Sequence, residues 1–252
     1  MYLIKKNIPN ILTLSNMLCG VLAILASFEG NLTFASLFVF SALCFDFFDG
    51  FIARLLNLES ELGKQLDSLS DMVSFGVAPS IILFQLLYFE NSGEYFQSEL
   101  NDIKDIFPAV IALLLPIFSA IRLAKFNIDE KQKTTFIGLP APAAAAFIIS
   151  IPLILNYQNI PNSSLIPIFE NKLFLIFTAI ILPVLLISNL KLLSFKSTQE
   201  KKSRTQASNI IKWILIIISI VLLIILKFIS IPFIIILYLI LSLINNLIKH
   251  EI

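Results

Sequence analysis

An all-α polytopic membrane protein is the fold class this sequence predicts, and three observations predict it. Apolar runs of about twenty residues, the length a helix needs to cross the hydrocarbon of a bilayer, recur from one end of the chain to the other. Hydrophobic residues make up 58% of the 252 residues and charged ones only 14%, with a mean hydropathy of +0.91; a soluble domain is nearer to about half apolar and a quarter charged. The runs are also unbroken. A transmembrane barrel would show alternating segments of about ten residues, and a helix is the other structure that satisfies every backbone group in lipid.

Eight spans follow in order. The first, 11–28, comes after Lys5 and Lys6; no small-residue cleavage site follows it, so it reads as a retained span and not as a signal peptide. The second and third, 32–56 and 65–89, are joined by the short 57–64 connection, which makes them antiparallel neighbours. The fourth, 106–126, follows the acidic stretch 90–105 with Glu90, Glu94, Glu99, Asp102 and Asp105. Pro140 and Pro142 end a loop and open the fifth, 139–157. The sixth is 172–190. Spans seven and eight, 209–228 and 230–248, are nearly pure Ile, Leu, Val and Phe divided around Ser230. They read as a tight hairpin or as one broken element. The polar stretch 194–208 is linker-like and divides a six-helix body, 1–193, from a C-terminal hairpin, 209–252.

Basic residues set the orientation. With the N-terminus in the cytoplasm, the inner segments hold Lys5, Lys6, Lys64, Lys125, Lys131, Lys133, Lys191, Lys196, Lys201, Lys202, Arg204, Lys212 and Lys249, and the outer side keeps Lys104, Lys172 and Lys227. That bias is what the positive-inside rule expects of a multi-pass protein of the cell membrane. The 90–105 stretch then faces outward. A net charge of +1 gives no reason to expect a nucleic-acid partner. Cys19 and Cys44 lie inside apolar runs without metal-ligand spacing and are expected as packing residues. The single histidine, His250, is a tail residue.

The chemistry concentrates at Asp46-Phe-Phe-Asp49-Gly50-Phe-Ile-Ala53-Arg54, then eight residues, then Gly63-Lys-Gln-Leu-Asp67-Ser-Leu-Ser-Asp71. Ionisable groups in membrane helices are costly, and where present they usually face the protein interior and mark a function. Asp46 and Asp49 are three apart and Asp67 and Asp71 four apart, so each pair shares a helix face. The short connection lets the two faces converge at one depth. Four like charges there repel unless a divalent cation bridges them, and an all-oxygen set suits Mg²⁺ or Mn²⁺. Gly50 and Ala53 leave room beside the carboxylates, and Arg54 offers a fixed cation to phosphate oxygens. A cation transporter would also carry intramembrane carboxylates, but nearer the midplane of discontinuous helices.

This pattern, Asp-x2-Asp-Gly-x2-Ala-Arg-x8-Gly-x3-Asp-x3-Asp, resembles the signature of the CDP-alcohol phosphatidyltransferases at all eight fixed positions. The resemblance implies a six-helix body, to which spans seven and eight are an addition, and a homodimer. It implies one metal held by Asp46, Asp49 and Asp67 and a second by Asp46, Asp67 and Asp71, with Asp71 as general base. It also implies that Gly50, Ala53, Arg54 and Ser60 contact the head of CDP-diacylglycerol, with Gly63 at the turn into the third helix. Further stretches resemble the subgroup of membrane-bound bacterial phosphatidylserine synthases. These are Ile8-Pro9-Asn10-Ile-Leu-Thr13-Leu-Ser-Asn16 with Gly20, Arg122-Leu-Ala-Lys125-Phe-Asn127, Phe136-Ile-Gly138-Leu-Pro140, and Ser188-Asn-Leu-Lys191 followed by Ser194-Phe-Lys196. That subgroup implies L-serine as acceptor; glycerol 3-phosphate, an inositol phosphate or choline would use the same chemistry. Arg122 reads as a ligand of the serine carboxylate or of a phosphate, or as a snorkelling anchor. Lys125 reads as an acceptor contact or an interfacial anchor. Asn10 and Thr13 read as caps of helix one or as nucleotide contacts.

Overall fold

Helix α1 runs from Tyr2 to Phe28 in the computed structural model, which describes residues 2–58, 60–96, 103–128, 136–157, 165–193 and 202–251. It begins well before the apolar run, because hydropathy marks where a helix meets hydrocarbon and not where the helix starts. This overturns the capping reading of Asn10 and Thr13, which lie inside the helix. The chain reverses at Gly30, whose φ of 74° suits a residue without Cβ. Asn31 then caps α2 (Leu32–Leu55) by accepting the Phe34 N–H at 3.3 Å. Ser60 caps the next helix by accepting the Gly63 N–H at 3.0 Å.

That helix, α3 (Glu61–Ser92), is the most buried of the long spans and packs against α1 and α2 as well as later helices. A π-helical segment, Met72–Val77, interrupts it directly after Asp71, and the Ala78 N–H bonds back to Val73. Pro79, which has no N–H to give, follows at once. Next comes α4, built of Ile103–Ala109, a 3₁₀ turn Val110–Leu113, and Leu114–Ile128. Then come α5 (Ala141–Tyr157), a short helix Ile166–Glu170, and α6 (Lys172–Ile187). Two apolar helices close the chain, α7 (Lys202–Leu226) and α8 (Ser230–Glu251). A 3₁₀ turn, Lys227–Ile229, joins them, and they pack against each other. Lys202 to Ser208 are helical, not linker; Lys, Arg, Gln and Ala are good helix formers. The rest of the expected linker, with Lys196 and Ser194, lies outside the described residues, as do Lys131, Lys133, Glu99 and Asp102.

The eight spans are therefore eight apolar helices, but α5 and α6 are short, at 17 and 16 residues. At 1.5 Å per residue each covers about 25 Å, less than the roughly 30 Å of hydrocarbon. Their flanks hold the one strand pairing among the described residues. Phe136–Ile137 (β1) pairs antiparallel with Lys191–Leu192 (β2), Phe136 opposite Leu192. Leu139, Leu192 and Leu193 are buried. Non-helical backbone at membrane depth is tolerated where protein covers it.

Small residues set the helix crossings. A Cβ on Gly20 of α1 would lie 2.8 Å from the Ser74 Cα of α3, and one on Gly76 of α3 would lie 3.2 Å from the Ser119 Cβ of α4. The outward faces carry exposed Leu, Ile, Val and Phe, such as Ile217, Val221 and Ile224 on α7. These helices are those of an integral membrane protein. Cys44 belongs to that outward face: it is exposed and, contrary to expectation, does not pack inside the chain.

Candidate active site

The carboxylates converge because two antiparallel helices place them at matched depths. Asp49 lies six residues from the end of α2 and Asp67 six residues from the start of α3, about 9 Å along each axis. Asp46 and Asp71 lie one turn deeper, at about 14–15 Å. Carboxylate oxygens of Asp46, Asp49 and Asp67 all lie within 4.8 Å of one another. Asp71 is buried beside them, and its carboxyl is within hydrogen-bonding reach of Asp46. The hairpin expected from the 57–64 connection thus brings all four together.

Helix α1 forms the third wall. The Thr13 hydroxyl donates to Asp49 Oδ2 at 2.6 Å and lies 3.0 Å from the Pro9 carbonyl. One turn on, Asn16 Nδ2 points at Asp71 Oδ1 at 3.5 Å. Two α3 hydroxyls fix the register: Ser70 donates to the Thr13 carbonyl and Ser74 to the Asn16 carbonyl, each at 2.9 Å. The cluster therefore rests on three helices, not the two legible in the motif.

The remaining expected residues fall around this core. Arg54 is exposed on the last turn of α2, within electrostatic reach of Asp49, and its guanidinium lies over Gly50. Gly50 and Ala53 are half-buried on the same helix. Gly63 is closed in by Ser60 and Asn10: a Cβ there would lie 3.1 Å from Ser60 Oγ and 3.2 Å from Asn10 Oδ1. Asn10, Ser60 and Gly63 thus lie together one turn before Asp67. Arg122 on α4 lies within electrostatic reach of Asp71, and its buried Nε has no hydrogen-bond partner among the described residues. This places it at the site and not in a snorkelling position. Lys125, one turn further, is exposed and is not drawn into the cluster. The end of α4 is tied to α3 instead by Asn127, which donates to Ser68 Oγ at 2.8 Å and accepts from Lys64 Nζ at 3.1 Å.

Sequence reasoning gave no role to two residues that the structure brings near the cluster. Asn16 is an amide in the middle of an apolar run, three residues after Thr13, and that polarity was the available signal. Tyr238 of α8 lies within electrostatic reach of Arg122, and its hydroxyl donates to the Leu193 carbonyl at 3.1 Å. No spacing in the chain announces that long-range contact. The donor set itself is all oxygen and free of Cys and His, which fits a hard divalent cation.

Comparison with known proteins agrees with this geometry. A family model described as CDP-alcohol phosphatidyltransferase matches residues 6–187. The CDP-diacylglycerol–serine O-phosphatidyltransferase of Bacillus subtilis is 36% identical over 149 residues, 59% of this chain and 77% of that protein. The protein of the same name from Helicobacter pylori is 35% identical over 193 residues, 76% of this chain and 73% of its own. An archaetidylserine synthase of Methanothermobacter thermautotrophicus is 33% identical over 156 residues, 61% of this chain and 60% of its own. With the match running through α1 to α6 and the four aspartates of the motif gathered in one cluster, the chain belongs to the CDP-alcohol phosphatidyltransferase family.

Proposed function

We propose that this enzyme transfers the phosphatidyl group of CDP-diacylglycerol to L-serine, giving phosphatidylserine and CMP, at the cytoplasmic face of the cell membrane. The observation that carries the acceptor is the Arg122 guanidinium, its Nε unpartnered among the described residues, within electrostatic reach of Asp71: an acceptor with both a hydroxyl and a carboxylate needs a base and a cation in one site. The relatives agree in the acceptor. Those of Bacillus subtilis and Helicobacter pylori are named for serine and CDP-diacylglycerol, and the archaeal synthase is named for a serine product of a different lipid.

The residues divide the work as follows. Asp46, Asp49, Asp67 and Asp71 would hold Mg²⁺ or Mn²⁺, which when bound supplies positive charge to the phosphates of the donor. Asn10, Gly50, Ala53, Arg54, Ser60 and Gly63 receive the CDP head, and Thr13 fixes Asp49 behind it. Phe47, Phe48 and Phe51 point outward from α2 next to the carboxylates, where the acyl chains of the donor can stay in the bilayer. Arg122 holds the serine carboxylate, with Lys125 at the rim. Asp71 accepts the serine hydroxyl proton as that oxygen attacks the phosphorus bearing diacylglycerol. The bond from that phosphorus to the CMP phosphate oxygen breaks, and CMP leaves. The six-helix body 1–193 carries this chemistry, the hairpin 209–252 braces it, and two copies associate as a homodimer.

The test is CMP release by purified protein from CDP-diacylglycerol in Mg²⁺ or Mn²⁺, with candidate alcohols added one at a time. Serine should support the fastest release, and chelation of the metal should stop it. Faster release with glycerol 3-phosphate, an inositol phosphate or choline would overturn the acceptor.

A further inference from the structure

Asn16 has no exposed surface, and its Oδ1 has no hydrogen-bond partner among the described residues. A buried amide oxygen left unpaired is costly, and in native structures such atoms are uncommon. The rest of the residue is committed. Its backbone carbonyl accepts from Ser74, α1 is pressed onto α3 at Gly20, and Nδ2 points at Asp71. Oδ1 is therefore free to take a partner from a molecule bound at Asp71. The final torsion of Asn is broad and roughly two-fold, so turning the oxygen toward Asp71 gives up the long 3.5 Å contact of Nδ2 and little else.

Serine carries its hydroxyl and ammonium on adjacent carbons. Whatever contacts the ammonium must therefore stand next to the group that takes the hydroxyl proton, and Asn16 stands there. We infer that Asn16 is the acceptor-specificity residue, its side-chain oxygen receiving a hydrogen bond from the ammonium group of a hydroxy-amino acid held between Asp71 and Arg122. This rests on the serine reading above and adds its third point of attachment: proton acceptor, carboxylate clamp and ammonium acceptor. An acceptor without the ammonium leaves Oδ1 unpaired and is rejected for that reason.

The test compares L-serine with 3-hydroxypropanoate, which keeps hydroxyl and carboxylate and lacks the ammonium, in the unaltered protein and in Asn16→Ala and Asn16→Ser. The unaltered protein should prefer serine by at least about tenfold in kcat/KM beyond any difference it shows in CDP binding. Both variants should lose most of that preference, mainly through the serine KM, while equilibrium CDP binding in Mg²⁺ is retained. Any loss caused by disturbing Asp71 affects both acceptors and cancels in the ratio, so a merely structural role does not move it. An unchanged ratio in both variants overturns the assignment. Loss of CDP binding in both also overturns it and makes Asn16 a packing residue. Absence of serine-dependent CMP release in the unaltered protein would instead sink the acceptor reading, and this assignment with it.

Discussion

Replacing Thr13 by Val removes one hydroxyl from the wall behind the carboxylates and leaves the shape nearly unchanged. The lost bond is short, 2.6 Å to Asp49 Oδ2, and Thr13 is only 4% exposed, so water does not readily replace it. Hydrogen bonds to charged groups are worth about 1.5–3 kcal/mol, and partners behind a metal ligand typically set its affinity by about 10- to 100-fold. The same hydroxyl lies 3.0 Å from the Pro9 carbonyl, so its single proton is shared and the lower half of that range applies. The Mg²⁺ concentration for half-maximal activity should rise by about tenfold to a few tens-fold, and high Mg²⁺ should restore most of the maximal rate. The assay is CMP release titrated with Mg²⁺ at saturating substrates, on protein with matching yield and thermal unfolding. A Mg²⁺ curve that superimposes on the unaltered one would refute the chain of reasoning from Thr13 through Asp49 to the metal. A lower maximal rate at unchanged half-saturation would also refute it.

Asp71→Asn should cost at least about 10²-fold in turnover, the low end for a general base, with CDP binding largely kept; near-normal turnover removes Asp71 as the base. Asp46→Asn should instead weaken CDP binding in Mg²⁺ as well as turnover, since it takes charge from the centre of the cluster. Arg122→Lys keeps the charge and loses the two-pronged geometry, so the serine KM should rise more than that of CDP-diacylglycerol; the opposite pattern would make Arg122 a phosphate ligand. Single cysteines at Ser92 and Ser203, with Cys19 and Cys44 replaced, should label from opposite sides of the membrane with an impermeant thiol reagent, and labelling from one side would reverse the proposed topology.

Much of this was legible because helix periodicity is rigid. The spacing of Asp46, Asp49, Asp67 and Asp71 on two helices joined by a short turn leaves little freedom in where the carboxyls meet. Hydropathy placed the eight longer helices among the described residues, because each crossing needs a sustained apolar run. Helix ends were less legible, as at Tyr2 and Lys202, because polar residues continue a helix beyond the hydrocarbon without any change of hydropathy to mark it. The π segment after Asp71 was not legible at all. Within it Gly76 meets α4 at Ser119, a tertiary contact that no spacing in the chain announces. Two-residue strands carry no periodicity, so the pairing of 136–137 with 191–192 left no trace in the sequence. Arg122 illustrates the intermediate case: its type and helix were readable, but its neighbours Asp71 and Tyr238 come from remote parts of the chain.

The grip of α8 on β2 bears on how short a working version of this chain can be. Asn246 Nδ2 donates to the Lys191 carbonyl at 2.6 Å, Tyr238 donates to the Leu193 carbonyl, and the Leu193 N–H donates to Ser242 Oγ at 3.2 Å. On its other side the same strand is zipped to β1, and Gly138 and Leu139 follow with N–H bonds to Leu190 and Leu185. The last helix thus does for the strand what a neighbouring strand would do in a closed sheet: it leaves no open edge. Cut the chain after α6 and 191–193, and three backbone groups lose their partners; Lys191 is exposed, but the two groups of Leu193 are buried and cost roughly several kcal/mol each when left unpaired. The strand paired with it, β1, leads into α5. A minimal version of this enzyme would therefore need a substitute seam sewn along residues 191–193 before it needed anything at the carboxylates.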